Sequence, residues 1–147
     1  MSEHEPNDDR FWSDVSGGVV CIFLSPSFFL TFTFSAMSFL NLEQLPFAGM
    51  SYQFHGDKVG APFSAYIVTA KPGQGPPLHQ HPYVEVAFTI EGCAAITVGD
   101  ETREVKAGGV VVIPAGTPHR FVNSGDTILR QIDVHASPTF IQTNLTK

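Results

Sequence analysis

A single all-β domain, an antiparallel barrel preceded by a poorly defined N-terminal extension, is the fold class this sequence predicts. Three observations predict it. From residue 50 onward, short β-branched and aromatic runs are separated by Gly- and Pro-rich turns, the pattern of an all-β chain. No stretch carries the long 3.6-residue apolar repeat of an amphipathic helix. The 147 residues suit one domain with a core of its own. Residues 1–36 are assigned to the extension and residues 37–147 to the barrel.

The extension opens with a polar, acidic tail over residues 1–14, which reads as disordered. An apolar stretch follows, Val19 to Leu24, then Phe28-Phe29-Leu30, Phe32 and Phe34. A secretory signal wants a positive start, whereas Glu3, Glu5, Asp8, Asp9 and Asp14 precede this run against one Arg10. Pro26 and the interspersed Ser and Thr break the roughly 20 apolar residues that membrane spanning needs. Met37-Ser38-Phe39-Leu40 reads like an ordinary protein start, so the preceding residues are expected outside the barrel, or else covering a sheet edge.

Within the barrel, residues 41–45 suit a helical turn or an entry strand. Residues 50–55 alternate as a strand does, and 62–70 put Tyr66, Val68 and Ala70 on one face. Lys71-Pro72-Gly73-Gln74-Gly75-Pro76-Pro77 is a loop. Residues 84–90, 94–98 and 101–105 come next as strands, with Gly99-Asp100 as a hairpin turn. The fully apolar run 110–113 is expected to be buried. Pro114 to Pro118 form a stiff corner, and 119–123 and 127–135 are the last long strands. A tail from Ser137 to Lys147 is expected to pack on a neighbouring subunit.

Composition excludes some functions. The net charge is −6 and the pI about 5.3, with no Lys/Arg run, so nucleic acid is not an expected partner. Cys21 and Cys93 make no disulfide framework; both are expected to be reduced and buried, in a cytoplasmic protein. No Ser-His-Asp set, phosphate loop or dinucleotide fingerprint is present.

The chemistry concentrates in Pro77-Leu78-His79-Gln80-His81-Pro82-Tyr83-Val84-Glu85. In extended chain, alternate side chains share a face, so His79, His81 and Glu85 can point one way. A third imidazole, His119, comes after the Pro118 corner. Three imidazoles and a carboxylate are a ligand set for one divalent transition metal ion: Fe, Mn, Ni, Co, Cu or Zn. A carboxylate turned into an apolar barrel is costly unless a cation pairs with it. Four protein ligands would leave one or two positions for substrate oxygens or dioxygen.

The spacing extends beyond the ligands. Gly73, His79, His81, Glu85 and Gly92 form one motif; Gly108, Pro114, Gly116, His119 and Asn123 form another. This double signature resembles that of the cupin superfamily, over roughly residues 44–145. The resemblance implies an antiparallel jelly-roll β-barrel around one metal. It also implies a small-molecule enzyme, either a dioxygenase-like oxidoreductase or a related lyase or decarboxylase. Such barrels commonly pair, so a homodimer is expected, with the Phe-rich segment and Phe140-Ile141 as contacts. The alternatives are a non-catalytic module that binds or senses a metal or small ligand, and a sugar isomerase or epimerase of the same fold. Reaction type does not follow from fold.

Catalytic candidates beyond the ligands are few: Glu85 itself, Gln131 and His135. Gln131, Asp133 and His135 share one face of the last strand; Ile128, Arg130, Ile132 and Val134 share the other. An antiparallel strand ordinarily buries its apolar face, so the polar stripe is expected in solvent. Turned inward, it would orient substrate or move protons. Tyr83 is expected outside or at the mouth, and Tyr66, Phe88 and Phe121 in core or pocket wall.

Overall fold

The structure is a computed structural model that describes residues 39–145. The extension, with its Phe-rich run and Cys21, lies outside the described residues. The described chain folds as an antiparallel jelly roll, with no α-helix among these residues. Residues 42–44 form a 3₁₀ turn, the helical option for that segment, and Gly56–Lys58 form another.

Among the described residues, eleven strands make two sheets. In chain order they are β1 (Phe47–Ala48), β2 (Ser51–Phe54), β3 (Ser64–Ala70), β4 (His79–Gln80), β5 (Glu85–Glu91), β6 (Cys93–Val98), β7 (Glu101–Lys106), β8 (Val110–Ile113), β9 (His119–Asn123), β10 (Leu129–His135) and β11 (Thr143–Asn144). The larger sheet runs β1-β2-β3-β10-β5-β8 and the smaller β11-β4-β9-β6-β7. Their inner faces meet at Val68, Ala70, Ala94, Ile96, Phe121 and Leu129, all buried. Removing that apolar surface from water is the main force holding the sheets together.

Asn123 ties the sheets at one end. Its buried amide donates to the carbonyls of Ala70 (2.9 Å) and Thr127 (2.8 Å), and its side-chain oxygen accepts from the Gly125 N–H (3.0 Å). Gly92 turns β5 into β6 at φ +81°, where a side chain would also meet the Ile128 carbonyl oxygen at 2.7 Å.

Four expectations are corrected. The 110–113 run is a strand but is not buried. β8 is a sheet edge, and Val110 (55 % exposed) and Val112 (63 %) point outward, leaving Ile113 buried and Val111 half-buried against the core. Phe88 also lies on the outer face, 38 % exposed, because it pairs with Val110 on that side. Cys93 is not a buried filler. Its thiol reaches Glu104 Oε1 at 2.9 Å on the barrel surface, and that bond pushes its pKa up. The tail packs on its own barrel: β11 pairs with β4, and the Leu145 N–H donates to the Leu78 carbonyl.

Candidate metal centre

Each site residue is placed by strand pairing. His79 on β4 stands directly opposite His119 on β9. Glu85 opens β5, paired with His135 on one side and Ile113 on the other. His81 lies just past β4, and its carbonyl accepts a 2.7 Å bond from the Gly116 N–H, which ties the Pro114–Pro118 corner to the first histidine pair. The smaller sheet thus supplies His79 and His119, and the larger supplies Glu85. All four side chains are buried, and one ligand atom from each lies within 4.8 Å of the others.

The rings are held by their far nitrogens. Nδ1 of His79 bonds the Pro77 carbonyl at 2.8 Å, Nδ1 of His81 the Ile141 carbonyl at 2.7 Å, and Nδ1 of His119 the Thr117 carbonyl at 2.7 Å. A carbonyl only accepts, so each Nδ1 carries a proton, and in the neutral ring Nε2 keeps a lone pair for the centre. Glu85 Oε2 is the meeting point: 2.9 Å from His119 Nε2, 3.1 Å from His81 Nε2 and 3.5 Å from His135 Nε2. His81 Nε2 is near the carboxylate yet has no hydrogen bond of its own. A buried nitrogen lone pair without a donor is what a cation would satisfy, so these residues fit a divalent ion.

Charge obeys the same geometry. Burial opposes ionisation of Glu85, but the surrounding His119, His135 and His81 outweigh it and hold the carboxyl far below the usual carboxylate range. Burial lowers His79 to about 4, with the neighbouring imidazoles adding to the effect. Burial also opposes a charged His119, yet its bonds to Glu85 and to the Thr117 carbonyl prevail and raise it.

The polar stripe of β10 overturns the solvent-facing expectation. Gln131, Asp133 and His135 point inward and are buried, while Arg130 is exposed and Ile132 and Val134 are half-buried on the outer side. The strand sits between β3 and β5, so its inner face lies over the cavity rather than over closed core. That cavity holds about 270 Å³ between the sheets, reaching from His79, Glu85 and His119 to Gln131 and Asp133. Tyr66 and Phe121 are wall, as expected.

Tyr83 is half-buried beside the site. It stacks on His81 at 5.2 Å, donates to the Ile141 carbonyl (3.0 Å) and accepts from the Ile141 N–H (2.8 Å). Phe140 packs beside His135 and stacks on Tyr66 at 4.5 Å. Phe140 and Ile141 therefore serve this site, a role that sequence reading missed. Neither carries a local motif; only the fold-back of the tail brings them here.

Several known proteins resemble the chain over this region. The cupin domain family matches residues 66–135, a span that includes all four ligand candidates. An uncharacterized protein of Streptomyces coelicolor is 45 % identical over 58 residues, 40 % of this chain and 54 % of that protein. A polyketide synthase, CurC, of Streptomyces cyaneus is 35 % identical over 73 residues, 49 % of this chain and 47 % of that one. Among solved structures, Bacillus subtilis oxalate decarboxylase, studied for its Mn(II) centres, aligns with a TM-score of 0.63 and 26 % identity. The alignment covers 71 % of this chain and 30 % of that one. The chain spans about half the length of the curated relatives it matches.

Proposed function

Since residues 66–135 of this chain form a cupin domain, we propose that the protein is a metal-dependent small-molecule enzyme. Its reaction is dioxygenase-like, or that of a related lyase or decarboxylase. His79, His81, Glu85 and His119 hold one divalent transition metal ion. One observation carries the reading: four buried donor atoms lie within 4.8 Å of one another, with all three imidazoles bonded through Nδ1 to backbone carbonyls. When bound, such an ion supplies a Lewis acid for substrate oxygens and, if redox-active, a partner for dioxygen.

The chain's own residues do the rest. The walls of the cavity are largely apolar, and Gln131 and Asp133 face it from β10. His135 stands 3.5 Å from the Glu85 carboxylate, where its ring N–H can donate to that group and fix its orientation. An inward set of titratable groups supports an enzyme over a non-catalytic metal or ligand sensor, which has no use for them. The working setting is cytoplasmic, as a homodimer. No helix among the described residues is long and apolar enough to cross a membrane.

Elemental analysis of freshly purified protein, followed by oxygen uptake with Fe(II) and diphenol or diketone substrates, tests this. Turnover should require metal and should vanish in His119→Ala while the fold survives. Metal uptake by that variant equal to wild type would overturn the assignment. Tight ligand binding with no turnover on any substrate would favour the sensing module.

A further inference from the structure

The cavity differs sharply between its two ends. Near one end lie His79, Glu85 and His119. Away from them the wall is largely apolar, with Met50, Val68, Ala87 and Ile96 among its lining, and is interrupted by a polar pair on β10. That pair is Gln131, 1 % exposed, and Asp133, 5 % exposed. Gln131 Nε2 donates to Asp133 Oδ1 at 2.7 Å, and Gln131 Oε1 has no partner. A buried acceptor without a donor is costly, so a ligand hydroxyl there would be rewarded.

No lysine faces this wall among the described residues. Arg120 lines the cavity but belongs to the exposed side of β9, between inward-pointing His119 and Phe121. A second anionic group on a ligand would therefore enter an apolar wall beside a carboxyl group with no cation to meet it. Asp133 reports how hostile that position is to negative charge: burial, with Glu85 adding to it, pushes its own carboxyl well above the usual range.

We propose that Gln131 and Asp133 form a specificity site that selects ligands with an uncharged, hydroxyl-bearing end. The ligand class is a ring-sized molecule. Adjacent oxygens at one edge meet the metal, an apolar body fills the cavity, and the far end is a neutral hydroxyl. Small dicarboxylates are disfavoured. The cavity, about 270 Å³, lies just below the usual range for ligand sites, which suits one ring rather than a long chain. This inference rests on the metal reading above.

Three catechols with the same chelating edge separate the outcomes: 3,4-dihydroxybenzyl alcohol, 4-methylcatechol and 3,4-dihydroxybenzoate. They are titrated calorimetrically, without oxygen, into protein loaded with Mn(II) whose metal content has been measured. The alcohol should bind at least roughly tenfold more tightly than the benzoate, with the methyl compound between. Gln131→Leu should bring the alcohol down to the methyl compound. Asp133→Asn, nearly the same shape and able to donate to a carboxylate, should narrow the gap to the benzoate. Thermal melts of both variants check folding. Metal-loaded protein that binds the three alike, or prefers the benzoate, overturns this inference and leaves the metal reading standing. Failure to take up metal overturns both.

Discussion

Glu85 is hydrogen-bonded to His119 and lies near His81 and His135, and this crowding decides how protons and metal compete. Free imidazole titrates near 6.5; His79 is moved down to about 4, whereas His119 is moved up. At pH 6.5 His79 is already neutral and His119 still holds its proton. In the metal-free protein, the His119 contribution to stability is present below 6.5 and lost as pH rises through its raised value. The His79 shift works the other way, costing stability as pH falls from 6.5 towards 4. Metal uptake near pH 6.5 should therefore displace the His119 proton. Calorimetry in buffers of different ionisation enthalpy counts it; no release would mean that His119 is neutral before metal arrives. His79 and His81 were legible as a pair because a two-residue spacing is itself a statement about faces. Tyr83 could be placed only as outside or at the mouth because the chain leaves strand geometry at Pro82, where parity no longer applies.

Strand existence was readable throughout 50–135, but which face of a strand turns inward was not always so. β10 shows why. Hydrophobic alternation predicts the buried face only where the interior is uniformly apolar. Here the interior includes a cavity, so polar Gln131 and Asp133 turn inward while Ile132 and Val134 take the outer side. β8 fails for the complementary reason, since an edge strand with one side in solvent can still be all valine and isoleucine. Asn123 is the polar residue whose role is most plainly structural. Asn123→Ala would strip donors from two carbonyls and an acceptor from one N–H. At about 1–3 kcal/mol for each buried group left unpaired, the variant should lose at least about 2 kcal/mol in urea unfolding. A smaller loss would mean that water replaces the amide.

At the scale of the molecule, metal and fold are coupled, because the four donors come from both sheets. Metal at a hundred times its dissociation constant should add about 2.7 kcal/mol to stability, so a strong chelator should lower the melting temperature. A melt indifferent to chelator, in protein shown to contain metal, would count against a site that bridges the sheets. The outer face of the larger sheet is a second whole-molecule feature. Phe88, Ile90, Val110 and Val112 are exposed side by side on β5 and β8. That self-complementary apolar strip at an open edge suits pairing with a second copy. Light scattering should give a dimer, and Val112→Lys should shift it towards monomer; a wild-type monomer would defeat the idea.

The hold of Ile141 on His81 has a consequence for how the protein comes into being. The two residues are 60 apart in the chain, and the carbonyl that orients the ring belongs to the later one. A nascent polypeptide halted before that point would already own every donor atom, yet one imidazole would still swivel. Ion capture should thus lag behind barrel closure, arriving as the last act of maturation rather than its seed.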